Sequence, residues 1–287
     1  MDFSKYVFMK SYDNGFYLTE FTETQNANKN VMIFTDTSNK CGYIDASNLD
    51  FSSITKLSVI FKKEVELPDL TVFSCLKELW CCHNNLTKIG ALPSTLEILY
   101  CTNNKLTNLD NLPPNLKKLY CSDNQIQKLD NLPFALEILE CNYNHLTYLD
   151  YLPVSLKVLT CFDNQIERLD NLPPNLKILD CGYNVIVELD NLPPTLEDIQ
   201  CQGNGLTRLD NLPVNLKEID CRTNLITQLN NLPPNLNVLK CDENKITSLD
   251  YLPDSLNKIE CDGNPFIYDF KPTLENIRKY NLSRKLI

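Results

Sequence analysis

The sequence predicts a solenoid of short coils, with a parallel β-sheet on its concave side and an extended, polyproline-like convex side. Three observations predict it. Ten cysteines recur every twenty residues, from Cys81 to Cys261. The same pattern, LxxLxCxxNxLxxLxxLPxx, surrounds each of them without an insertion. The Leu-Pro pair, followed in several repeats by a second proline as in Pro113-Pro114, disfavours a helix in the second half of the repeat.

The first half of each repeat reads as a short strand. In the segment LEILYC, alternation places Leu99 and Cys101 on the core face and Ile98 and Tyr100 on the open face. The periodic cysteine therefore occupies a core position. A free cysteine packs as a small hydrophobic residue, so we interpret this column as structural and not as a set of nucleophiles or metal ligands.

The other regular positions also have structural interpretations. Six residues per repeat are expected to point inward, as in Leu116, Leu119, Cys121, Ile126, Leu129 and Leu132. The asparagine three residues after each cysteine, from Asn84 to Asn264, is expected to be buried and to pair with backbone groups of its own and neighbouring coils.

The two ends of the chain differ in composition from the repeats. Residues 1–53 alternate like β-strands around Asp13-Asn14-Gly15 and predict a β-rich N-terminal cap. Residues 54–267 hold one degenerate repeat and then ten regular ones. Residues 268–287 predict a short capping helix that starts after Pro272-Thr273.

The pattern resembles the leucine-rich repeats, specifically the short class with Leu-Pro in its second half that is known from bacterial effectors. The resemblance covers residues 54–267; one departure is an Asp, as at Asp110, where effector arrays often have a second proline. The cysteine-containing repeat and the closing stretch NPFIYDFKPTLENIRKYN look more like repeat proteins of amoeba-infecting giant DNA viruses of the mimivirus type. This resemblance implies a non-enzymatic interaction protein and, for a viral chain, a location in the host cytoplasm.

Composition restricts the classes of partner. Lys and Arg number 27 against 37 Asp and Glu, a formal net charge of -10, which argues against nucleic acid or an anionic membrane and favours a basic partner. The N-terminus lacks a signal-peptide pattern, and no apolar run is long enough to span a membrane. We therefore expect a cytoplasmic location, where the thirteen cysteines stay reduced.

The sequence contains only weak signals for catalysis or metal binding. No phosphate-binding glycine loop, serine elbow or zinc-protease motif is present, so we expect no enzyme activity and no cofactor. Cys75, Cys81, Cys82 and His83 could hold zinc, but the repeat register sends them in different directions, so we expect no metal site. An aspartate column that includes Asp130 could attract calcium or could shape a turn; we favour the turn because Lys or Arg lies two residues earlier in several repeats.

The positions that vary between repeats predict a surface that binds a protein. The open strand face carries an aromatic and aliphatic strip in its N-terminal half, which is typical of interface hot spots. Its C-terminal half carries acidic residues, which favour the approach of a basic partner. The predicted binding residues are Trp80, Ile98, Tyr100, Tyr120, Ile138, Tyr143, Phe162, Asp180, Asp198, Glu218, Asp220 and Asp242. The alternatives are a structural component that assembles with itself and, less favoured, a metal-binding protein or enzyme.

Overall fold

The computed structural model describes residues 6–10, 16–20, 32–35, 41–44, 51–60, 66–67 and 69–284. The chain divides into two compact units, residues 1–144 and 145–287. We call them the N-terminal and C-terminal units and describe each by itself.

The described residues of the N-terminal unit form nine strands. They are β1 (Tyr6–Lys10), β2 (Phe16–Glu20), β3 (Met32–Thr35), β4 (Cys41–Ile44), β5 (Lys56–Ile60), β6 (Glu78–Trp80), β7 (Ile98–Tyr100), β8 (Lys118–Tyr120) and β9 (Ile138–Glu140). Their order is β9-β8-β7-β6-β5-β2-β1-β3-β4. Strands β5 to β9 are parallel, and from β6 on each residue pairs with the one twenty positions later, as Leu99 does with Leu119. The sequence period therefore sets the register.

Strands β1 to β4 confirm that the N-terminal segment is β-rich. Strand β2 pairs in parallel with β5, so the edge of the first repeat strand is covered, as expected of a cap. The turn predicted at Asp13-Asn14-Gly15 between the antiparallel strands β1 and β2 lies outside the described residues. The domain boundaries at residues 53 and 267 stay predictions.

Within residues 145–284, the C-terminal unit contains six short parallel strands and one helix. They are β10 (Val158–Thr160), β11 (Ile178–Asp180), β12 (Asp198–Gln200), β13 (Glu218–Asp220), β14 (Val238–Lys240), β15 (Lys258–Glu260) and α1 (Leu274–Arg284). Neighbouring strands again pair with a shift of one repeat. Between residues 69 and 273 no helix interrupts the segments that connect the strands, which agrees with the proline-rich return path.

Helix α1 closes the C-terminal unit, as the sequence predicts. The Thr273 hydroxyl caps its first turn by accepting a hydrogen bond from the Asn276 amide. Ile277 is fully buried, and the Arg278 guanidinium donates to the carbonyls of Pro253 and Leu256 at 3.0 and 2.9 Å. The helix thus covers apolar surface and satisfies backbone acceptors that the last coil would otherwise expose.

The core follows the predicted positions with one exception. Leu119 and Cys121 are fully buried, and the flanking strand residues are half-buried. Leu132, expected to point inward, is only half-buried, while the following Pro133 is buried. The carbonyl of this proline accepts a hydrogen bond from the Leu136 amide at 3.0 Å, which closes a turn. In this repeat the proline, and not the leucine before it, fills the core position.

An asparagine ladder links neighbouring coils. The Asn124 side-chain amide donates to the carbonyls of Cys101, Cys121 and Ser122 at 3.1 Å each, and its Oδ1 accepts from the Leu106 amide at 3.0 Å. The same arrangement recurs in the C-terminal unit, for example at Asn184. This confirms the predicted role of the column: the buried amide is compensated by backbone groups of its own coil and of the preceding coil.

Candidate functional site

The open strand face of the N-terminal unit carries three stacked aromatic rings. Trp80, Tyr100 and Tyr120 occupy the last positions of β6, β7 and β8, which pair in register. The Trp80 and Tyr100 rings lie 5.4 Å apart and are inclined by 3°, and the Tyr100 and Tyr120 rings lie 4.5 Å apart and are inclined by 7°. The Lys56 ammonium lies 5.6 Å from the centroid of the Trp80 ring. We call these three rings the aromatic stack.

The aromatic stack is half-buried, because each ring covers a face of its neighbour. Burial raises the pKa of both tyrosines, and Glu78 and Glu140 add to the effect at Tyr100 and Tyr120 respectively. The hydroxyl groups therefore stay neutral and can donate hydrogen bonds at physiological pH. The stacked faces of the rings cover one another, so the accessible part of the stack consists mainly of ring edges.

The other apolar residues predicted for this unit lie on strand β7 of the aromatic stack, on the neighbouring strand β9 or just beyond β9. Ile98 and Ile138 are half-buried at the first positions of β7 and β9, with Lys118 of β8 between them. Tyr143 is 48% exposed and has a left-handed backbone, with φ of 53°. These residues share the surface on which the stack lies, as the alternation predicts.

A second aromatic pair belongs to the C-terminal unit. The rings of Phe162 and Tyr183 have centroids 5.0 Å apart and an inclination of 54°. Tyr183 is 53% exposed, and its ring lies so close to Gly203 that a Cβ there would be 3.0 Å away. Glycine at 203 therefore has two effects: it adopts the left-handed backbone, with φ of +66°, and it leaves room for the Tyr183 ring.

The predicted acidic residues of the C-terminal unit are not simple exposed charges. Asp180 and Asp198 are half-buried, and burial raises the pKa of both carboxyl groups; Asp220 adds to the effect at Asp180, and Glu218 adds at Asp198. The Lys240 ammonium donates to Glu218 at 2.7 Å. Part of the acidic surface is thus offset by a cation within the same sheet.

Among the predicted acidic residues, Asp220 departs most from the expected exposed carboxylate. It is 3% exposed, and Arg222 binds its two carboxylate oxygens through Nε at 2.9 Å and Nη2 at 2.7 Å. The Asp220 contacts raise the pKa of Arg222. Sequence reasoning missed Arg222, although Phe162 and Asp242 at the equivalent repeat position were predicted to lie on the surface. Opposite charges two positions apart across Cys221 were the available signal.

The candidate chemical residues do not converge. Cys81 is fully buried and burial raises its pKa, while Cys82 is half-buried and Cys75 is exposed. Within the described ranges, no three His, Cys, Asp or Glu side chains are placed to share a metal ion. In the aspartate column, Lys128 pairs with Asp130 at 3.0 Å, and the next residue, Asn131, has φ of 57°. This geometry supports the turn interpretation, because asparagine tolerates the left-handed conformation.

Comparisons with known proteins identify the fold. The family model for leucine-rich repeats (2 copies) matches residues 76–114. Among solved structures, YopM from Yersinia enterocolitica WA-314 is 33% identical with a TM-score of 0.64, over 74% of this chain and 52% of that one. The chain has the leucine-rich-repeat fold. A search of curated proteins finds no match to this sequence.

Two further bacterial structures are similar to this leucine-rich-repeat chain. YopM from Yersinia pestis, described as a leucine-rich effector protein, is 28% identical with a TM-score of 0.57, over 76% of this chain and 75% of that one. InlJ from Listeria monocytogenes, whose functional domain includes a cysteine ladder, is 26% identical with a TM-score of 0.58, over 77% and 56%. The chain therefore spans little more than half of two of these three structures.

The helix content adds one observation about membranes. Across the part of the chain that the structure describes, none of the helical segments has the length and apolar character needed to cross a bilayer.

Proposed function

We propose that this leucine-rich-repeat chain is a non-enzymatic scaffold that binds a protein partner on its open strand face. The fold supports this proposal, because leucine-rich repeats are typical of protein–protein interaction scaffolds. Short strands in fixed register hold the variable side chains on one rigid surface. Specificity then depends on which residues occupy those positions.

The aromatic stack is the observation that carries the proposal. Trp80, Tyr100 and Tyr120 lie on three neighbouring strands, and their rings are fixed against one another before any partner arrives. Tryptophan and tyrosine dominate binding energy at protein interfaces. Rings that are already ordered lose little conformational entropy on binding, so their contact area contributes more fully to affinity.

The acidic side chains of the C-terminal unit indicate the charge of the partner. Asp180 and Asp198 are half-buried without a cation bound to them in the described contacts, and Asp242 accepts only a backbone amide, that of Asp262 at 3.1 Å. Charges of one sign on a surface speed the approach of a partner of opposite sign. We therefore propose a partner with a basic surface, and neither nucleic acid nor a membrane.

The setting of this interaction is also a proposal. Periodic cysteines such as Cys101, Cys121 and Cys181 carry free thiols, which suits the cytoplasm. If the resemblance to giant-virus repeat proteins holds, the chain acts in the host cytoplasm and the partner is a host protein.

A capture experiment tests the proposal with a matched control. Immobilised native protein is compared with a Trp80→Ala, Tyr100→Ala, Tyr120→Ala variant in candidate cytosol, with bound proteins identified by mass spectrometry. The control variant removes three aromatic residues from the connecting segments: Phe134→Ala, Tyr151→Asn, Tyr251→Asn. Asparagine suits positions 151 and 251 because other repeats have it at this left-handed position.

The expected result is a protein retained by the native chain and the control but lost by the variant of the aromatic stack, with all three chains equally folded by circular dichroism. Retention of the same protein by all three would contradict the proposal.

Exposed apolar residues in the connecting segments favour a second candidate, a component that assembles with itself. Phe134 is 76% exposed in the N-terminal unit, and Val154 and Val214 are 69% and 56% exposed in the C-terminal unit. Other repeats place proline at this position. Self-association in analytical ultracentrifugation that Phe134→Pro and Val214→Pro weaken, and that variants of the aromatic stack leave unchanged, would support this candidate over the first.

A further inference from the structure

The C-terminal unit exposes a group of apolar side chains just beyond the ends of strands β11 and β13. Tyr183, Val185 and Val187 are 53%, 54% and 56% exposed, and Leu225, two coils later, is 48% exposed. Single exposed apolar residues are ordinary on a protein surface, whereas a contiguous group of them marks a place of contact. We call these four residues the flank patch.

Hydrogen bonds between coils bring the flank patch together. The amides of Val185, Gly205 and Leu225 each donate to a carbonyl of the preceding coil, at 3.1, 2.9 and 2.9 Å. Positions 185, 205 and 225 therefore form one column across three neighbouring coils, with Gly205 in the middle. Tyr183 and Val187 lie on the two sides of this column, since each is two residues from Val185 along the same coil.

Two glycines leave a gap in the middle of the patch. A Cβ at Gly205 would lie 3.3 Å from Val187 Cγ1, and a Cβ at Gly203 would lie 3.0 Å from the Tyr183 ring. The middle coil thus contributes only backbone at these two positions, where the coils before and after it contribute Val185 and Leu225. The result is a shallow depression with apolar side chains on both sides.

The repeat pattern does not require apolar residues at these positions. Neighbouring coils hold exposed polar residues there, which are Asp163, Gln165, Thr207 and Lys245. Each coil can therefore fold with a polar side chain at the position. The apolar residues of the flank patch add nothing to the core, and burial against a partner accounts for their presence.

The border of the flank patch is mainly acidic. Asp163, Glu167 and Glu243 are exposed at equivalent positions of the adjoining coils, and Lys245 is the one basic residue at these positions between residues 161 and 247. The arginines of the adjoining return segments pair with aspartates there. An apolar centre with a charged border is typical of a protein interface, and an acidic border favours basic residues in the partner.

We propose that the flank patch binds an amphipathic α-helix of a partner protein, with apolar side chains on the contacting face and basic residues beside them. Strands of neighbouring coils lie about 4.8 Å apart and a helical turn rises about 5.4 Å, so a helix lying across the coils places roughly one side chain on each. Side chains on one face of an extended segment lie about 6.8 Å apart and match the coils less well.

The gap at Gly205 defines the central contact. An apolar side chain of the helix would enter it and touch Val185 on one side and Leu225 on the other, as a knob enters a hole between packed helices. The inference goes beyond the proposed function, because it needs no residue of the aromatic stack.

A designed peptide tests the site without the natural partner. A helical lysine–leucine peptide of about four turns, with all leucines on one face, is titrated into the full chain and followed by NMR. The control peptide has the same composition with its leucines distributed around the helix, so the charge is equal and the apolar face is lost. The expected result is saturable binding at least about tenfold tighter than that of the control peptide, with shifts at the Gly203, Gly205 and Leu225 amides.

Variants with residues taken from a neighbouring repeat locate the binding. Val185→Gln and Leu225→Gln introduce the residue found at position 165, so the coils should fold unchanged and the net charge stays the same. Together they should weaken the peptide by at least about tenfold. The matched control, Val154→Pro with Val214→Pro, removes two exposed valines elsewhere in the unit and should leave the affinity unchanged.

Three results would overturn the inference. They are equal binding of the two peptides, equal binding by the native chain and the double glutamine variant, and shifts confined to residues outside the flank patch. A dimer in analytical ultracentrifugation that the double glutamine variant converts to a monomer would also contradict it, because the patch would then be covered by a second copy of this chain.

The peptide and capture experiments fail separately. If the peptide binds at the flank patch but the variant of the aromatic stack still captures the same protein, the flank patch stands and the proposed function is contradicted. If capture depends on the aromatic stack but the peptide does not bind, the proposed function stands and the helix site is wrong.

Discussion

Replacing one asparagine of the ladder should destabilise the fold far more than its single side chain suggests. In the native chain, Asn124 is 7% exposed; it donates to three carbonyls and accepts from the Leu106 amide at 3.0 Å. The variant Asn124→Ala removes all four contacts. The loss falls on two neighbouring coils at once, because the ladder joins them.

The magnitude follows from which groups lose their partner. The buried Leu106 amide loses its acceptor, which costs about 1–3 kcal/mol. The two cysteine carbonyls each keep a second donor, from Asn104 at 3.0 Å and Asn144 at 3.1 Å, so their loss adds about 1 kcal/mol. We therefore expect Asn124→Ala to lower the free energy of unfolding by about 2–4 kcal/mol.

Urea unfolding followed by circular dichroism measures this change, and hydrogen exchange at the Leu106 amide reports it locally. The matched control is Asn115→Ala, since Asn115 is exposed and makes one hydrogen bond, to the Ser94 carbonyl at 2.9 Å. Its effect should stay within about 0.5 kcal/mol. Equal effects of the two variants, or unchanged exchange at Leu106, would refute the ladder as a buried, fully paired element.

Two further predictions concern ionisable groups. In native reduced protein, a maleimide should label the exposed Cys75 well before Cys101. Cys101 is fully buried, and burial raises the pKa of its thiol well above the usual value, so little reactive thiolate is present. Peptide mapping that finds both cysteines labelled at the same rate would contradict a buried cysteine column. Hydrogen bonds from Lys117 and Lys77 lower the pKa of Glu97 to about 2, so its ionised form stabilises the fold above pH 4.5 and this contribution is lost as the pH falls towards 2. The stability difference between native protein and Glu97→Gln, at most about 1 kcal/mol for such a surface pair, should therefore shrink over that range, and a difference independent of pH would contradict the pairing.

The fold could be predicted from the sequence because each position has one local role that repeats. Leu119 and Cys121 alternate with polar and aromatic neighbours, so their burial follows from strand geometry alone. The burial of Pro133 in place of Leu132 could not be predicted in this way, because it depends on how the turn closes onto the next strand. Periodicity identifies which residues recur but not how a turn rotates them.

The candidate site could be predicted only in part. Register alone brings Trp80 and Tyr100 together, so a row of aromatic side chains was foreseeable, but their stacking and half-burial depend on side-chain rotamers. The pairing of Asp220 with Arg222 could not be predicted in this way, because a repeat position does not determine which neighbouring group a long side chain binds. Unpaired acceptors such as Gln202 Oε1 are visible only once neighbouring coils are in place.

The most direct test of the proposed function places a photo-crosslinking amino acid, p-benzoylphenylalanine, at position 100 of the aromatic stack and, separately, at position 151 in a connecting segment, where the tyrosine is 96% exposed. Both proteins are irradiated in candidate cytosol, and the crosslinked peptides are identified. The proposed function predicts one partner crosslinked through a defined peptide from position 100 and absent from position 151. The same crosslinks from both positions, or crosslinks only to further copies of this chain, would contradict a protein-binding strand face.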